Sequence, residues 1–234
     1  MQERTSVMRG TALTAALCLA SVALMGASGA PYARHGDNVG AIIQDIGSTL
    51  YHTPVRLYYS DVCSGSKNDP LNNYTSNYDI RTPQSERRGM GAMRTMLETN
   101  ARDAIVSKGP HGIVQVRVGA VLTSIVRARI SVLQLTSLEQ YNPNLAILAM
   151  QRTPEFTSAM RQSGLDFPPL DLMDMIVQQP RQGLPHLPSL ITNATVDEVL
   201  DSIASTFSGI ALYQVCRQPR GGRGYLTLSF IGLD

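Results

Sequence analysis

The chain carries almost no net charge, and this argues against nucleic acid as a partner. Its 234 residues include 20 Lys or Arg and 18 Asp or Glu, which gives a formal net charge of +2. Proteins that bind a phosphate backbone usually cluster many more basic residues on one surface. We therefore expect no nucleic-acid partner. Hydrophobic residues make up 43% of the sequence, so the chain can bury a sizeable core and we expect it to be folded.

The chain also lacks the motifs of common enzyme classes. It contains no His-Glu-x-x-His, Gly-x-Ser-x-Gly, P-loop or dinucleotide fingerprint, and its three cysteines have no zinc-type spacing. Ser64–Lys67 matches Ser-x-x-Lys, but neither Ser-Asp-Asn nor Lys-Thr-Gly accompanies it. The four histidines fall in predicted loops or at the ends of predicted elements: His35, His52, His111 and His186.

One carboxylate pair, Asp171 and Asp174, is explained most simply as part of a solvated helix face. We therefore predict no catalytic residues, no cofactor and no metal. An enzyme site assembled only in the fold, from residues distant in sequence, remains the alternative.

The amino terminus has the layout of a signal peptide. Met1 to Arg9 carries two arginines, and Thr11 to Ala30 is uncharged and ends in small residues. A signal peptidase is expected to cut after Gly29, so residues 1–29 are removed and the protein is exported to the periplasm or cell envelope. The alternative is an uncleaved membrane anchor, since an uncharged run of this length can span a bilayer.

After cleavage, only two cysteines remain. Cys63 and Cys216 lie far apart in the sequence, and two cysteines in an exported chain more often form a disulfide than stay free. Such a bond closes a long loop, for which the chain-entropy model gives a stabilisation of about 4–5 kcal/mol. We therefore predict a Cys63–Cys216 disulfide.

The last fifth of the chain predicts a β-α-β-β unit. Thr195, three residues before Glu198, is the signature of a capping box at a helix start. The apolar residues behind it fall on one helical face: Val196, Val199, Leu200, Ile203 and Phe207. Gly209 suits the left-handed position that ends a helix. Ser189–Thr192, Ile210–Cys216 and Tyr225–Ile231 are expected to be the strands.

The carboxy-terminal unit resembles the short amino-terminal domain of secretins and TonB-dependent receptors, a small periplasmic module. The resemblance is carried by Leu190 to Ala204 and by Gly209 to Tyr213, where a strand and an amphipathic helix are followed by a glycine and an aromatic-containing strand. It implies a periplasmic protein-interaction module without catalytic residues. In the family a pore or barrel follows this domain, and because none follows it here, the resemblance implies no channel or receptor role.

A similar helix-strand pattern occurs near the start of the mature chain. Val39, Ile42, Ile43, Ile46 and Leu50 have the spacing of the later helix, and the strand-like Val55–Tyr59 follows them. Residues 39–59 and 196–213 are therefore either related repeats or two ordinary amphipathic helices that share the commonest helical period.

The middle region predicts helices and strands in alternation. Thr82-Pro83 is expected to open a long helix that continues through Ala104 and Ile105 and ends at Gly109-Pro110. Gly112–Gly119 and Ala128–Leu135 alternate as strands, with Ile130 and Val132 on one side of the second. Pro143, Pro154 and Pro168-Pro169 are each expected to begin a further helix.

Together these patterns predict an α+β fold, in which small mixed or antiparallel sheets pack against amphipathic helices. The expected segments are a signal peptide (1–29), a helix-strand unit with a polar loop (30–80), a middle region (81–179), a Pro-rich linker (180–188) and the terminal unit (189–234). The expected function is that of an exported, non-catalytic protein-interaction module. A periplasmic hydrolase and a membrane-tethered envelope protein are the alternatives.

The candidate interaction residues lie on the terminal unit. Tyr213 is expected beside an exposed sheet edge, and Arg217, Arg220 and Arg223 form a basic, turn-rich tip. The expected partner is another envelope protein. The arginines also suit anionic lipid or cell-wall polymer, because guanidinium groups bind phosphate and carboxylate.

Overall fold

The apolar periodicity near residue 40 forms a helix whose apolar face is buried. The computed structural model describes residues 39–50, 52–62, 89–100, 104–167, 179–217 and 224–233. Helix α1 spans Val39–Thr49. The predicted apolar face of this helix and the residue after it is buried: Val39, Ile42, Ile43, Ile46 and Leu50. Strand β1, Val55–Val62, follows it, so the predicted helix-strand pair is confirmed.

A six-stranded mixed sheet forms the centre of the fold. Besides β1 it contains β2 (Ala104–Lys108), β3 (Val114–Val118), β5 (Leu165–Asp166), β7 (Gly209–Arg217) and β8 (Gly224–Gly232). The order is β2-β3-β1-β7-β8-β5. Strand β1 runs parallel to both β3 and β7, β5 runs parallel to β8, and the remaining two pairings are antiparallel. The described parts of the early, middle and terminal segments therefore all contribute strands to one sheet.

A second, two-stranded sheet lies apart from the main one. Strands β4 (Arg129–Gln134) and β6 (Leu190–Thr195) pair antiparallel, and we call this pair the β4–β6 ribbon. The predicted β-α-β-β order at the end of the chain is present, but its first strand belongs to this ribbon and not to the main sheet.

Helices cover both faces of the main sheet. After α1 they are α2 (Met90–Asn100), α3 (Thr123–Val126), α4 (Ser137–Gln140), α5 (Pro143–Gln151), α6 (Pro154–Gln162) and α7 (Val196–Phe207), with a 3-10 turn at Pro110–Gly112. Helices α1 and α2 pack with Leu57 and Leu212 in one core. Helices α3, α5, α6 and α7 contribute to a second core with Tyr58 and Tyr213. Neighbouring residues of β1 and β7 therefore face opposite cores, as the pleat of a strand requires, and the mixture of elements confirms the predicted α+β class.

The predicted caps of α6 and α7 form, whereas the Asn142 side chain does not cap α5. The Thr195 side chain accepts a hydrogen bond from the Glu198 N–H, and the Glu198 carboxylate accepts one from the Thr195 N–H, which completes the capping box. Pro143 and Pro154 each occupy the first turn of a helix. The predicted left-handed Gly209 is wrong, because Ser208 takes that conformation, with φ of 51°, and Gly209 already begins β7.

The predicted long helix of the middle region is wrong at its end. Helix α2 ends at Asn100, and Ala104 and Ile105 lie in β2. The β-branched pair Ile105-Val106 favours a strand, and Val106 pairs with Val116 of β3, so sheet pairing replaces helical continuation. The expected helix start at Thr82-Pro83 lies outside the described residues.

The predicted alternation of β4 is also wrong. Ile130 is buried, but Val132 is 56% exposed and Leu133 is buried instead. Asn193 of the facing strand has a positive φ of 52°, and the strands pair as Ile130–Ala194 and then Val132–Thr192. The left-handed residue interrupts the regular pleat of the ribbon, and the buried side changes at this point.

The expected linker at 180–188 contains neither helix nor strand, but it is anchored to the second core. Leu187 is fully buried, and its N–H donates to the Gln140 carbonyl at 2.9 Å. Several predictions lie outside the described residues: the signal peptide, the Ser64–Lys67 motif, and the Asp171/Asp174 pair with the helix that contains it. Within the described ranges, no helix is both long enough and apolar enough to cross a membrane.

Candidate functional site

A charged cluster lies buried between α7 and the main sheet. We call it the Arg56 cluster, and its members are Arg56, Tyr58, Asp197, Asp201 and Tyr213. Arg56 and Tyr58 lie two residues apart on β1, so they point to the same face of the sheet. Tyr213 is the partner of Tyr58 in the β1–β7 register. Asp197 and Asp201 are one turn apart on α7, so both carboxylates project from one side of that helix.

Arg56 connects the strand to the helix through a single guanidinium nitrogen. Its Nη1 lies 3.0 Å from Asp201 Oδ1 and 3.4 Å from Asp197 Oδ1, and it donates to the Asp197 backbone carbonyl at 3.3 Å. The Tyr58 hydroxyl donates to Asp197 Oδ1 at 2.5 Å. Arg56 is only 4% exposed, and its guanidinium also lies over the Tyr58 ring, 5.2 Å from the centroid.

The cluster holds two carboxylates and one guanidinium in a poorly solvated space. Burial raises the pKa of Asp201 to about 6, although Arg56 acts in the opposite direction. Burial also raises the pKa of Asp197, while the hydrogen bond from Tyr58 and the charge of Arg56 oppose the rise. Since one cation cannot fully compensate two buried anions, the pair favours an additional proton.

The two tyrosines complete the cluster on its sheet side. Their ring centroids are 5.6 Å apart in an edge-on arrangement. Burial, followed by the charge of Asp197, raises the pKa of both hydroxyls, so both stay neutral. Three buried polar atoms of the cluster have no hydrogen-bond partner among the described residues: Arg56 Nε, Asp201 Oδ1 and the Tyr213 hydroxyl.

Exposed basic residues surround the cluster at longer range. Arg117 and Arg127 lower the pKa of Asp197, and His111 lowers that of Asp201. All three side chains are exposed. The two carboxylates of the cluster can bind and release a proton. Their ion pairs with Arg56 connect α7 to the main sheet. The described residues contain no group of three or more His, Cys, Asp or Glu suited to a metal ion.

The predicted contact role of Tyr213 is wrong. Its side chain is 1% exposed, and β7 is a central strand of the sheet, so a partner cannot reach it. Arg217, at the end of β7, is exposed, as the predicted basic tip requires. Arg220 and Arg223 lie outside the described residues.

Cys216 is buried near the end of β7, whereas Cys63 lies outside the described residues. Strands β1 and β7 run side by side and parallel, with Asp61 paired to Cys216 and Val62 to Arg217. This register supports the Cys63–Cys216 disulfide, which stays a prediction.

The structure exposes aliphatic side chains on the β4–β6 ribbon and at one edge of the main sheet. The sequence analysis did not predict this exposure. Val132 and Leu190 are 56% and 53% exposed, and both belong to the β4–β6 ribbon. Val132 pairs with Thr192, and Gln134 pairs with Leu190, so the two aliphatic side chains are diagonal neighbours on the solvent side. A third exposed aliphatic residue, Ile105, lies on β2, at one edge of the main sheet.

Sequence reasoning missed the Arg56 cluster. Arg56 and Tyr58 alternate with Val55 and Leu57, a pattern typical of a strand with one solvated face. The charged face is instead covered by α7, which is more than 130 residues away in sequence. Within one segment of the sequence, the only indication of the cluster is the pair Asp197 and Asp201. These two residues lie on α7, the helix whose apolar residues are buried.

No protein-family model matches this chain, and no match is found among curated proteins or solved structures. The resemblance of residues 190–213 to the short secretin and TonB-receptor domain therefore stays a prediction.

Proposed function

We propose that this chain is an exported, non-catalytic module that binds another protein of the cell envelope by pairing an extended segment of that partner with the outer edge of β6. The observation that carries the proposal is the β4–β6 ribbon, which presents a strand edge together with two exposed aliphatic side chains, Val132 and Leu190. Strand addition to an exposed edge is a common mode of peptide recognition.

The backbone of β6 has groups to offer a partner. Within the described residues β6 pairs only with β4, and a strand paired on one side presents the N–H and C=O groups of its other side. Some of these groups are already used within the chain: the Asn193 carbonyl accepts from Arg129, and the Thr195 N–H donates to Glu198. On β4 the Ser131 N–H and hydroxyl both donate to the Glu155 carboxylate. We therefore propose that the partner strand adds at the start of β6, beside Leu190 and Ile191.

The side chains indicate what the partner segment presents. Val132 and Leu190 are flanked by the neutral polar residues Gln134 and Thr192, and neither strand of the ribbon contains an acidic residue. Fully burying an aliphatic side chain contributes roughly 1.5–3 kcal/mol. The partner segment is therefore extended and carries apolar side chains on the face that meets Leu190 and Val132.

The burial of the charged cluster favours binding over catalysis. Arg56 and Asp201 are only 4% and 8% exposed, and α7 covers them, so a substrate has little access to the Asp201 carboxylate. The hydrolase alternative requires such access. Assay of the protein against ester, amide and glycoside substrates, with Asp201→Asn as control, tests that alternative directly.

The sequence supports the envelope as the location. The signal-peptide layout of residues 1–29 and the resemblance of the terminal unit to a periplasmic module both favour export. The membrane-tethered alternative differs only in whether Thr11 to Ala30 is retained. The basic tip remains a second proposed contact, for anionic lipid or cell-wall polymer. Its test is loss of binding to anionic vesicles or to isolated cell wall when Arg217, Arg220 and Arg223 are all changed to Gln.

Site-specific photo-crosslinking in the expressing cell tests the proposed function. A photoreactive residue at Leu190 or Val132 is expected to give a discrete adduct with one envelope protein. The matched control is the same residue at Gln162, which is exposed on α6. Leu190→Asp, introduced beside the crosslinker at Val132, is expected to abolish the adduct. Equal crosslinking from the control position, or none from the ribbon, would sink the proposal.

A further inference from the structure

The Arg56 cluster holds one more acidic than basic group between α7 and the sheet. Arg56 contributes the only cation within 4 Å of either carboxylate among the described residues, and its Nη1 is shared by Asp197 and Asp201. We propose that this cluster is a proton-operated clamp that holds α7 to the sheet more firmly in mild acid than at neutral pH. The clamp is a property of the fold and does not depend on the proposed partner.

The geometry explains why a proton strengthens the contact. When both carboxylates are ionised, one guanidinium nitrogen faces two buried anions, at 3.0 and 3.4 Å. Asp201 Oδ1 makes only the ion-pair contact with Arg56, which lacks hydrogen-bond geometry, whereas Asp197 also receives a hydrogen bond from Tyr58. The added proton therefore binds Asp201. It removes the excess negative charge and leaves Arg56 paired with Asp197.

The charged and titratable groups around the cluster come from several elements. The cluster itself supplies Arg56 and Tyr58 from β1, Asp197 from α7 and Tyr213 from β7. The outer groups are Glu198 on α7, His111 in the 3-10 turn, Arg117 on β3, Arg127 after α3, Arg129 on β4 and Arg217 on β7. Helices α3 and α5 and strand β6, which pack against α7, contain no titratable side chain.

The sign of the pH dependence follows from the pKa of Asp201. Burial raises this pKa from 3.8 to about 6 in the folded protein. Between these values the folded state binds more protons than the unfolded state, so stability falls as pH rises through about 6. Burial also raises the pKa of Asp197, so its protonation acts in the same direction. The contribution of the two carboxylates to stability therefore increases as the pH falls through this window.

Urea unfolding of the full chain at about pH 5 and about pH 7.5 tests the clamp. From the two pKa values of Asp201, the folded-to-unfolded ratio is expected to be on the order of tenfold higher at the lower pH. Asp201→Asn, which mimics the protonated side chain, is expected to remove most of this difference. The control Asp166→Asn makes the same change on β5, outside the cluster, and is expected to retain it.

A second readout locates the effect on α7. Amide hydrogen exchange in α7, corrected for the intrinsic pH dependence of exchange, is expected to be slower at about pH 5 in the wild type and pH-independent in Asp201→Asn. If that variant does not fold, a carbon-13 titration of the wild-type Asp201 carboxyl decides, because a midpoint near 6 supports the clamp and one near 4 overturns it. A wild type that is as stable at pH 7.5 as at pH 5, or an Asp201→Asn variant that keeps the difference, also overturns the proposal.

Discussion

Replacing Arg56 with Met is expected to destabilise the protein strongly at neutral pH. Methionine fills a similar elongated space but removes the cation, so Asp197 and Asp201 stay in place without their shared partner. The side chain of Arg56 is 5% exposed, and those of Asp197 and Asp201 are 27% and 11% exposed. Water therefore reaches Asp197 only in part and Asp201 very little.

The magnitude follows from the cost of an unpaired buried charge. Removing one partner of a buried ion pair typically costs about 3–5 kcal/mol. Because Asp197 keeps some solvent contact, we expect the lower end of this range, about 3 kcal/mol at pH 7.5. The loss is expected to be smaller at about pH 5, since Asp201 is then largely neutral.

Urea unfolding curves at both pH values measure this loss. Two comparisons accompany Arg56→Met. Arg161→Met, at an exposed position of α6, is expected to change stability by less than about 0.5 kcal/mol. The triple variant that adds Asp197→Asn and Asp201→Asn is expected to recover most of the loss, because no buried charge is then unpaired. An Arg56→Met protein that is as stable as the Arg161→Met control at neutral pH would refute the electrostatic account of the cluster.

Two further substitutions test local features of the terminal unit by the same unfolding measurement. Thr195→Ala removes the capping box of α7 and is expected to cost about 1 kcal/mol; an unchanged midpoint would show that the cap contributes nothing. Gly209→Ala places a Cβ 2.3 Å from the Phe230 ring and 2.4 Å from the Ile231 carbonyl oxygen, so we expect a loss of roughly 1–3 kcal/mol. Wild-type stability in that variant would contradict the close approach of β7 and β8.

The helices were predictable where a periodic apolar face coincides with a local start signal. Helix α7 has both, in its capping box and its buried stripe, and α6 begins at Pro154 with Thr153 as its cap. These signals lie within a few residues of each other, so the sequence alone contains them. The end of α2 lacks such a combination of signals: the β-branched pair Ile105-Val106 favours a strand, but the pairing with β3 that stabilises this strand is not visible in the local sequence.

The candidate site was not predictable, because its members meet only in the fold. Arg56 lies on a strand whose alternation is compatible with a solvated face, and whether that face is exposed depends on where α7 packs. For Tyr213 the prediction was wrong in the opposite direction: the residue was expected to be exposed and is buried. It was expected at a sheet edge, whereas β7 lies between β1 and β8. Val132 was misplaced because the left-handed Asn193 changes the pleat of the ribbon, and a single-strand pattern does not contain that information.

Export is the premise of the proposed function, and one measurement tests it directly. The intact mass of the protein is taken after recovery from the envelope of an expressing Gram-negative cell, with alkylation before and after reduction. The account predicts a chain that begins at Ala30 and gains two alkyl groups only after reduction, which reports both cleavage after Gly29 and the Cys63–Cys216 disulfide. A full-length mass with alkylatable thiols before reduction would contradict it.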